Sequence, residues 1–413
     1  MPATQSTVRN SSTGTRRDYA LWALTLGYLL SQFFRSYVAV IAPQLISDFG
    51  FTPGEFGLFA GSFFFIFALL QLPLGLAFDR FGIGPPVVAC MAVGTAGAVA
   101  LPMTHSAAYA LAAQAALGFG CAPIFMGLLN HVLKSGYGAR QVHAVTTASA
   151  IGIVGALLAA LPLAWSSARL GWRASMGIAS AGMLLATCAV ALAFRTQTGV
   201  TKRDKREVTA APPVAAPRRA FLTLLPVCFA MSAGGVFRTS WGGPYLADVF
   251  HLDIVTRGQV MTAASLAAFA VSLLIPFVVR LVTAKTLSLG CMATGLLAAI
   301  ILAVQPAHSV HLSVALICVL FSVGAIHPLV MSQARSVTSP GQLGLRLGIL
   351  NSMVFLGVAV TSNCFGWIAE AALRSGLPAS GLYAQLFLFT TALLAAGTLS
   401  YIFSPRLHTS SKS

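Results

Sequence analysis

Charged residues are scarce in this chain of 413 residues, and acids are the scarcest of them. Only 8% of the residues are charged and only 9 are Asp or Glu, against about 25% charged residues in soluble domains. The 7 cysteines lie apart inside apolar runs, which disfavours a disulfide framework, a redox centre and a structural metal. No cofactor or metal is expected. So few acids also leave little for acid–base chemistry, and an enzyme is not expected.

The sequence is instead rich in long apolar runs. Hydrophobic residues make up 57% of the chain, enough for twelve membrane helices of about 20 residues each. Only helices satisfy their own backbone in lipid at this length. The sequence therefore predicts an all-α polytopic membrane protein with twelve transmembrane helices in two six-helix bundles. The predicted spans are 20–44, 56–78, 84–103, 107–130, 144–165, 174–194, 220–246, 259–282, 286–305, 310–332, 347–369 and 381–403.

One long polar stretch divides the chain. Residues 195–219 form a predicted cytoplasmic linker between bundles at 19–194 and 220–404, with cytoplasmic tails at 1–18 and 405–413. On this topology 19 of the 25 Lys and Arg residues lie inside, 4 lie outside and 2 lie within spans. That asymmetry is the positive-inside rule.

The net charge of +16 therefore indicates topology rather than a nucleic-acid partner. We expect a monomer in a bacterial cytoplasmic (inner) membrane, with the lipid bilayer and a small-molecule anionic substrate as partners. His131 and His143, beside the loop after the fourth span, are expected to be solvent-exposed.

The two bundles repeat one another at an offset near 200 residues. Phe34-Arg35-Ser36 in the first corresponds to Phe237-Arg238-Thr239 in the second, and further pairs follow in the same order. These pairs are Pro43 with Pro244, Leu45 with Leu246, Asp48 with Asp248, and Arg80 with Arg280. Parallel six-helix repeats are typical of one large class of secondary transporter.

Two further motifs identify a family resemblance. The loop after the second span reads Gly75-Leu76-Ala77-Phe78-Asp79-Arg80-Phe81-Gly82, and the sixth span opens with Gly171-Trp172-Arg173. Both resemble motifs of the major facilitator superfamily. The resemblance implies two bundles that rock about a central site. It also implies that Gly75, Asp79, Arg80 and Gly82 form a gating loop that helps lock the outward-facing state.

Two arginines lie within predicted spans, far from any acid in the sequence. Arg35 is about three residues, or ~4.5 Å, from the middle of the first span, and Arg238 about five residues, or ~7.5 Å, from the middle of the seventh. Such charges normally face a cavity and have a partner. Because the pair matches across the repeat, it predicts a positively charged cavity that an anion neutralises through bidentate hydrogen bonds. The alternative is that each side chain snorkels to the surface or bonds backbone carbonyls.

Neighbouring polar residues are weaker candidates. Tyr28, Gln32, Trp241 and Asn351 could contact the substrate, although hydrogen bonds between helices account for them equally well. His327, before a proline in the tenth span, is a candidate for proton coupling; a neutral histidine bonded to a backbone carbonyl is the alternative.

The resemblance extends to the organic-anion branches of the superfamily, the anion:cation symporters and organophosphate carriers. Gln114 and Cys121 stand where the anion:cation symporters have the span-4 Arg and Glu, so their coupling mechanism is not carried over. The sequence predicts a secondary active transporter that moves a small organic anion, a carboxylate or phosphate ester, by alternating access, with import by cation symport or exchange. The alternative is a carrier for a bulkier amphipathic compound such as a siderophore or drug.

Overall fold

The computed structural model describes residues 18–135, 137, 140–195, 218–339 and 342–404. Within these residues all regular structure is helical. Eleven helices are long and apolar enough to cross a membrane, and one bent pair makes a twelfth. In chain order the spans are Tyr19–Ser36 with Val38–Phe49, Pro53–Phe81, Gly84–Met103, Ala107–Lys134, Gln141–Leu170, Trp172–Arg195, Arg219–Phe250, Ile254–Val278, Ala284–Val304, Val310–Ser336, Leu343–Arg374 and Ala379–Ile402. We number them span 1 to span 12. The predicted all-α architecture is confirmed, with most ends extended by a few residues.

Spans 1, 7 and 10 each depart from regular α-helix near the middle. Span 1 bends by 53° at Tyr37, whose hydroxyl donates to the amide oxygen of Gln114 in span 4 at 2.5 Å. Span 7 forms a π-helical turn at Phe237–Trp241, and span 10 a 3₁₀ turn at Val323–Ile326. Such irregular turns inside long helices are frequent at functional sites.

The internal repeat is visible in matching contacts. Asp48 ends span 1, and its carboxylate accepts a hydrogen bond from the indole of Trp172 at the start of span 6, at 2.7 Å. Asp248 ends span 7 and accepts from the hydroxyl of Tyr383 at the start of span 12, also at 2.7 Å. Each bundle therefore ties its first span to its sixth through a carboxylate at the same repeat position.

The arginine of the Gly171-Trp172-Arg173 motif has a structural role at the same end. The guanidinium of Arg173 donates to the carbonyl oxygens of Pro102 at 3.0 Å and Thr104 at 2.6 Å. Its Nε also lies 3.5 Å from the Asp48 carboxylate. The motif therefore ties together spans 1, 3 and 6.

The two bundles are sealed to each other at one end. We call the end where residues 196–217 join spans 6 and 7 the linker end, and the opposite end the far end. At the far end a Cβ on Gly243 of span 7 would overlap the carbonyl oxygen of Ala39 in span 1. A Cβ on Gly57 of span 2 would lie 2.6 Å from the carbonyl oxygen of Ser362 in span 11. These backbones touch directly, so nothing passes between the bundles there.

Spans 5 and 8 contribute to the same far-end seal. The packing between them is concentrated in the segment Leu161–Leu170, where the Leu161 amide donates to the Thr262 hydroxyl at 3.1 Å. Spans 2 and 11 continue the contact toward the linker end, where the Asn351 amide donates to Gln71 at 2.9 Å.

At the linker end, Asp18 organises the start of span 1. Its carboxylate caps the helix by accepting from the amides of Ala20 and Leu21. It also meets a ring nitrogen of His131 at 2.8 Å and the Tyr137 hydroxyl at 2.6 Å. His131 is only 5% exposed, so the expectation that it is solvent-exposed was wrong: the carboxylate that partners it lies 113 residues away in the chain. His143 is exposed, as expected.

The Asp18 cluster predicts a pH-dependent contribution to stability. Burial raises the pKa of Asp18, but hydrogen bonds from His131, Tyr137 and the Leu21 amide outweigh it and hold the pKa below its ordinary value. A carboxyl with a lowered folded-state pKa stabilises the fold above its unfolded pKa of about 3.9 and loses that contribution as the pH falls further. We expect Asp18→Asn to lower the melting temperature at pH 7 and the difference from wild type to shrink below about pH 4. Thermal unfolding in detergent across pH measures both; a difference independent of pH would contradict the assignment.

Candidate functional site

Arg35 lies at the centre of the molecule, between the two bundles. Span 1 runs from residue 19 to residue 49, so Arg35 is about one residue, or ~1.5 Å, from its midpoint. The guanidinium stacks over two rings, Phe67 of span 2 at 4.4 Å and Phe355 of span 11 at 5.0 Å. These rings belong to different bundles and touch each other, with centroids 4.3 Å apart. Arg35 therefore bridges the bundles at mid-membrane depth.

Arg238 occupies the corresponding place in the second bundle. Span 7 runs from residue 219 to residue 250, so Arg238 is about four residues, or ~6 Å, from its midpoint. It lies in the π-helical turn and within electrostatic range of Arg35 and the Tyr28 hydroxyl. Both arginines are half-buried, although they lie deep among helices. Each arginine therefore keeps part of its surface accessible.

Neither guanidinium is neutralised by the protein. Among the described residues, no carboxylate forms an ion pair with Arg35 or Arg238, and Arg35 Nε is buried without a hydrogen-bond partner. Every described carboxylate lies near a span end or in a loop. The space between the bundles is therefore cationic.

The energy of this arrangement is unfavourable without a ligand. An arginine at the centre of a membrane helix costs about 2.5–3.5 kcal/mol on insertion scales. A cation–π contact returns about 0.5–2 kcal/mol, and the two like charges repel each other. The aromatic contacts of Arg35 therefore offset only part of the cost, and an anion between the two guanidiniums would relieve the remainder.

Tyr28 and Gln32 lie beside the arginines. Tyr28 is in electrostatic range of both guanidiniums, and its ring contacts Phe125 of span 4 with centroids 4.8 Å apart. Gln32 donates its amide to the Tyr28 hydroxyl at 3.2 Å. The structure therefore brings four of the predicted substrate-binding residues, Tyr28, Gln32, Arg35 and Arg238, into one region.

Trp241 and Asn351 are engaged in hydrogen bonds between the bundles. Trp241 is 3% exposed and donates its indole to the Ser362 hydroxyl at 3.2 Å, within the far-end seal. The sequence placed it on the helical face of Arg238, three residues away, but a π-helical turn holds an extra residue and rotates the residues after it. The side-chain amide of Asn351 donates a hydrogen bond to Gln71 across the interface between the bundles. Both residues join the bundles.

His327 lies where the 3₁₀ turn of span 10 returns to α-helix. That turn packs against the segment Ser232–Val236 of span 7, just before Arg238. The ring is half-buried, and its Nε2 is buried without a hydrogen-bond partner among the described residues. His327 therefore lies after a turn that contacts span 7, with one ring nitrogen unpartnered among the described residues.

The predicted gating loop lies at the linker end of span 2. Asp79 and Arg80 are exposed, and Arg80 stacks over the neighbouring Phe81 ring at 5.2 Å. Gly82 ends the helix at a φ of 76°, and a Cβ on Gly75 would meet nothing within 4 Å. Asp79 forms no ion pair with any described residue. Among the described residues, the loop therefore makes no ion pair to the opposite bundle.

Sequence reasoning missed the aromatic partners of Arg35. Phe67 ends the aromatic run Phe63-Phe64-Phe65-Ile66-Phe67, and Phe355 lies 288 residues further along the chain. The run signals an aromatic-rich helix, but nothing in the sequence pairs it with a position in span 11.

The architecture defines a class of protein: two repeated six-helix bundles, sealed at one end, around charged side chains at mid-membrane depth are the arrangement of a secondary transporter that works by alternating access. The model of the Major Facilitator Superfamily matches residues 24–362. The chain belongs to that family and is a transporter, which confirms the expectation that it is not an enzyme.

Solved structures share the fold at low sequence identity. A bacterial homologue of the human lysosomal transporter Spinster is 18% identical, with a TM-score of 0.73 over 94% of this chain and 96% of that one. The nucleoside transporter NupG is 13% identical, with a TM-score of 0.72 over 93% and 99%. A D-xylose–proton symporter is 13% identical, with a TM-score of 0.69 over 91% and 96%. No curated protein matches the sequence.

Proposed function

We propose that this transporter carries a small organic anion. The observation that carries the proposal is the pair Arg35 and Arg238, matched across the repeat, half-buried between the bundles and without a carboxylate partner among the described residues. A guanidinium offers several donors in one plane and binds carboxylate or phosphate through two parallel hydrogen bonds. A cationic or neutral solute would leave both charges uncompensated.

The membrane potential constrains how such an anion could be imported. An inside-negative potential opposes the entry of an anion, so import requires a co-transported cation or exchange for another anion. His327, with a free ring nitrogen beside span 7, is the candidate to carry a proton. The positive-inside distribution of Lys and Arg supports a cytoplasmic location for the linker end and both termini, in a bacterial inner membrane.

Alternating access requires the far-end seal to open while the linker end closes. When the bundles rock, the exposed Asp79 can approach a helix N-terminus of the opposite bundle, where the partial positive charge of the helix dipole stabilises a carboxylate. Gly75, Asp79, Arg80 and Gly82 would then lock the state that is open at the far end.

Ligand-dependent thermal unfolding of the purified protein tests this proposal. A ligand that binds only the folded state stabilises it by RT ln(1 + [L]/Kd), about 2.7 kcal/mol at a hundredfold excess over Kd. Organic carboxylates or phosphate esters are expected to raise the melting temperature of the wild type but not of Arg35→Ala. Arg169→Ala is the matched control, because Arg169 is an exposed arginine that also stacks on an aromatic ring, Trp165 at 4.3 Å. Equal stabilisation of wild type and Arg35→Ala by the same anions would contradict the site.

A further inference from the structure

We infer that the transported anion is a carboxylate whose body is an apolar ring, aromatic or aliphatic, rather than a sugar phosphate or a polyhydroxylated acid. This inference rests on the proposed function and narrows its substrate class. It is drawn from the aromatic pairs around the two guanidiniums and from the hydrogen bonds of the polar side chains nearby.

The aromatic contacts of Arg35 use none of its hydrogen-bond donors. The guanidinium carbon lies 4.4 Å from the Phe67 centroid and 5.0 Å from the Phe355 centroid. The N–H donors of a guanidinium point outward in its plane, and Nε has no partner among the described residues. A carboxylate can therefore bind these donors while the rings pack against the guanidinium. Its apolar body would then lie beside the same rings.

A second aromatic pair lies near the same charges. Tyr28 of span 1 and Phe125 of span 4 contact each other at 4.8 Å between centroids, and Tyr28 is in electrostatic range of both arginines. Phe125 and Phe355 are half-buried, so each bundle presents part of a ring surface that a flat apolar group can cover. Offset or edge-to-face packing against such rings adds to the area that a ligand buries.

Several hydroxyls next to the arginines in sequence are already paired within the protein. The hydroxyls of Ser31, Thr239 and Ser240 donate to backbone carbonyls and are at most 3% exposed. Ser352 donates to the carbonyl oxygen of Ala68. A site built for a polyhydroxylated solute would instead offer unpaired donors and acceptors for each hydroxyl, because unpaired polar groups on a buried ligand are unfavourable.

A panel of four anions tests the inference by isothermal titration of the purified protein. The panel is benzoate, cyclohexanecarboxylate, gluconate and glucose 6-phosphate. We expect benzoate and cyclohexanecarboxylate to bind at least about tenfold more tightly than gluconate and glucose 6-phosphate, because burial of an apolar ring favours the first two.

The variants Phe355→Leu and Phe67→Leu are expected to reduce the benzoate-to-gluconate affinity ratio by about three- to tenfold. Phe65→Leu is the matched control, because Phe65 is in the same span as Phe67 but 45% exposed. The ratio compares two ligands on one folded protein, so a general loss of stability does not change it.

Three results would overturn the inference. If gluconate or glucose 6-phosphate binds as tightly as benzoate, and Arg35→Ala abolishes that binding, the protein is still an anion carrier. The inference that its substrate has an apolar body would then be wrong. An unchanged benzoate-to-gluconate affinity ratio in both phenylalanine variants would show that these rings do not contact the ligand. Failure of all four anions to bind in an Arg35-dependent manner would contradict the proposed function as well.

Discussion

Arg35→Ala is expected to reduce uptake of the transported anion into proteoliposomes by about a hundredfold. A hydrogen bond to a charged group contributes about 1.5–3 kcal/mol, and a bidentate pair contributes two of them, while 1.4 kcal/mol corresponds to a factor of ten. Arg238→Ala is expected to cause a similar loss, because it removes the repeat-related charge. Arg35→Lys keeps the charge but loses the planar fork, so we expect an intermediate loss of about tenfold.

The control for this series is Arg169→Ala, which removes an exposed arginine at the far end of span 5 and should transport at the wild-type rate. The amount of inserted protein is measured for each variant. Uptake close to the wild-type rate by both Arg35→Ala and Arg238→Ala would show that neither guanidinium binds the substrate.

Gly243→Leu is expected to hold the transporter open at its far end. Even a Cβ at this position overlaps the Ala39 carbonyl oxygen, so a larger side chain forces spans 1 and 7 apart. Overpacking of this kind costs about 1–3 kcal/mol, which shifts a two-state equilibrium by about 5- to 150-fold. Because transport requires both states, we expect uptake to fall to about a tenth of wild type or less.

The shift toward the state open at the far end is measured by labelling the variant Val40→Cys. Val40 is 1% exposed and lies in the seal. The variant is made in a protein from which the 7 native cysteines have been removed. A thiol reagent added at the far end should modify Val40→Cys in the Gly243→Leu protein and not in its parent. Gly177→Leu is the control, because a Cβ there meets nothing within 4 Å. Normal uptake with Val40→Cys still protected would contradict the assigned seal.

The fold could be predicted from the sequence because hydropathy and charge act locally. Each span is recognised by the length of its apolar run. The repeat-related pair Arg35 and Arg238 stands out because charged residues at such depth are rare. The structure places both arginines nearer to the middles of their spans than the sequence did, since spans 1 and 7 are longer than predicted.

The details of the site depend on contacts between distant parts of the chain. The stack of Arg35 with Phe67 and Phe355 requires the bundles to meet at one register of spans 2 and 11, which hydropathy does not specify. Trp241 does not share a helical face with Arg238, because the two residues lie in a π-helical turn. Sequence spacing that assumes a regular α-helix does not predict such a turn. The sequence does not predict that His131 is buried, because its partner Asp18 lies at the start of a different span.

We propose that the two guanidiniums bind the negative charge of the solute. Equilibrium binding of radiolabelled benzoate, with displacement by unlabelled benzoate or by the neutral isostere benzamide, distinguishes charge from shape. We expect saturable binding that benzoate displaces and benzamide does not, and no binding by the Arg35→Ala, Arg238→Ala double variant. Displacement by benzamide as effective as by benzoate, or undiminished binding by the double variant, would contradict it.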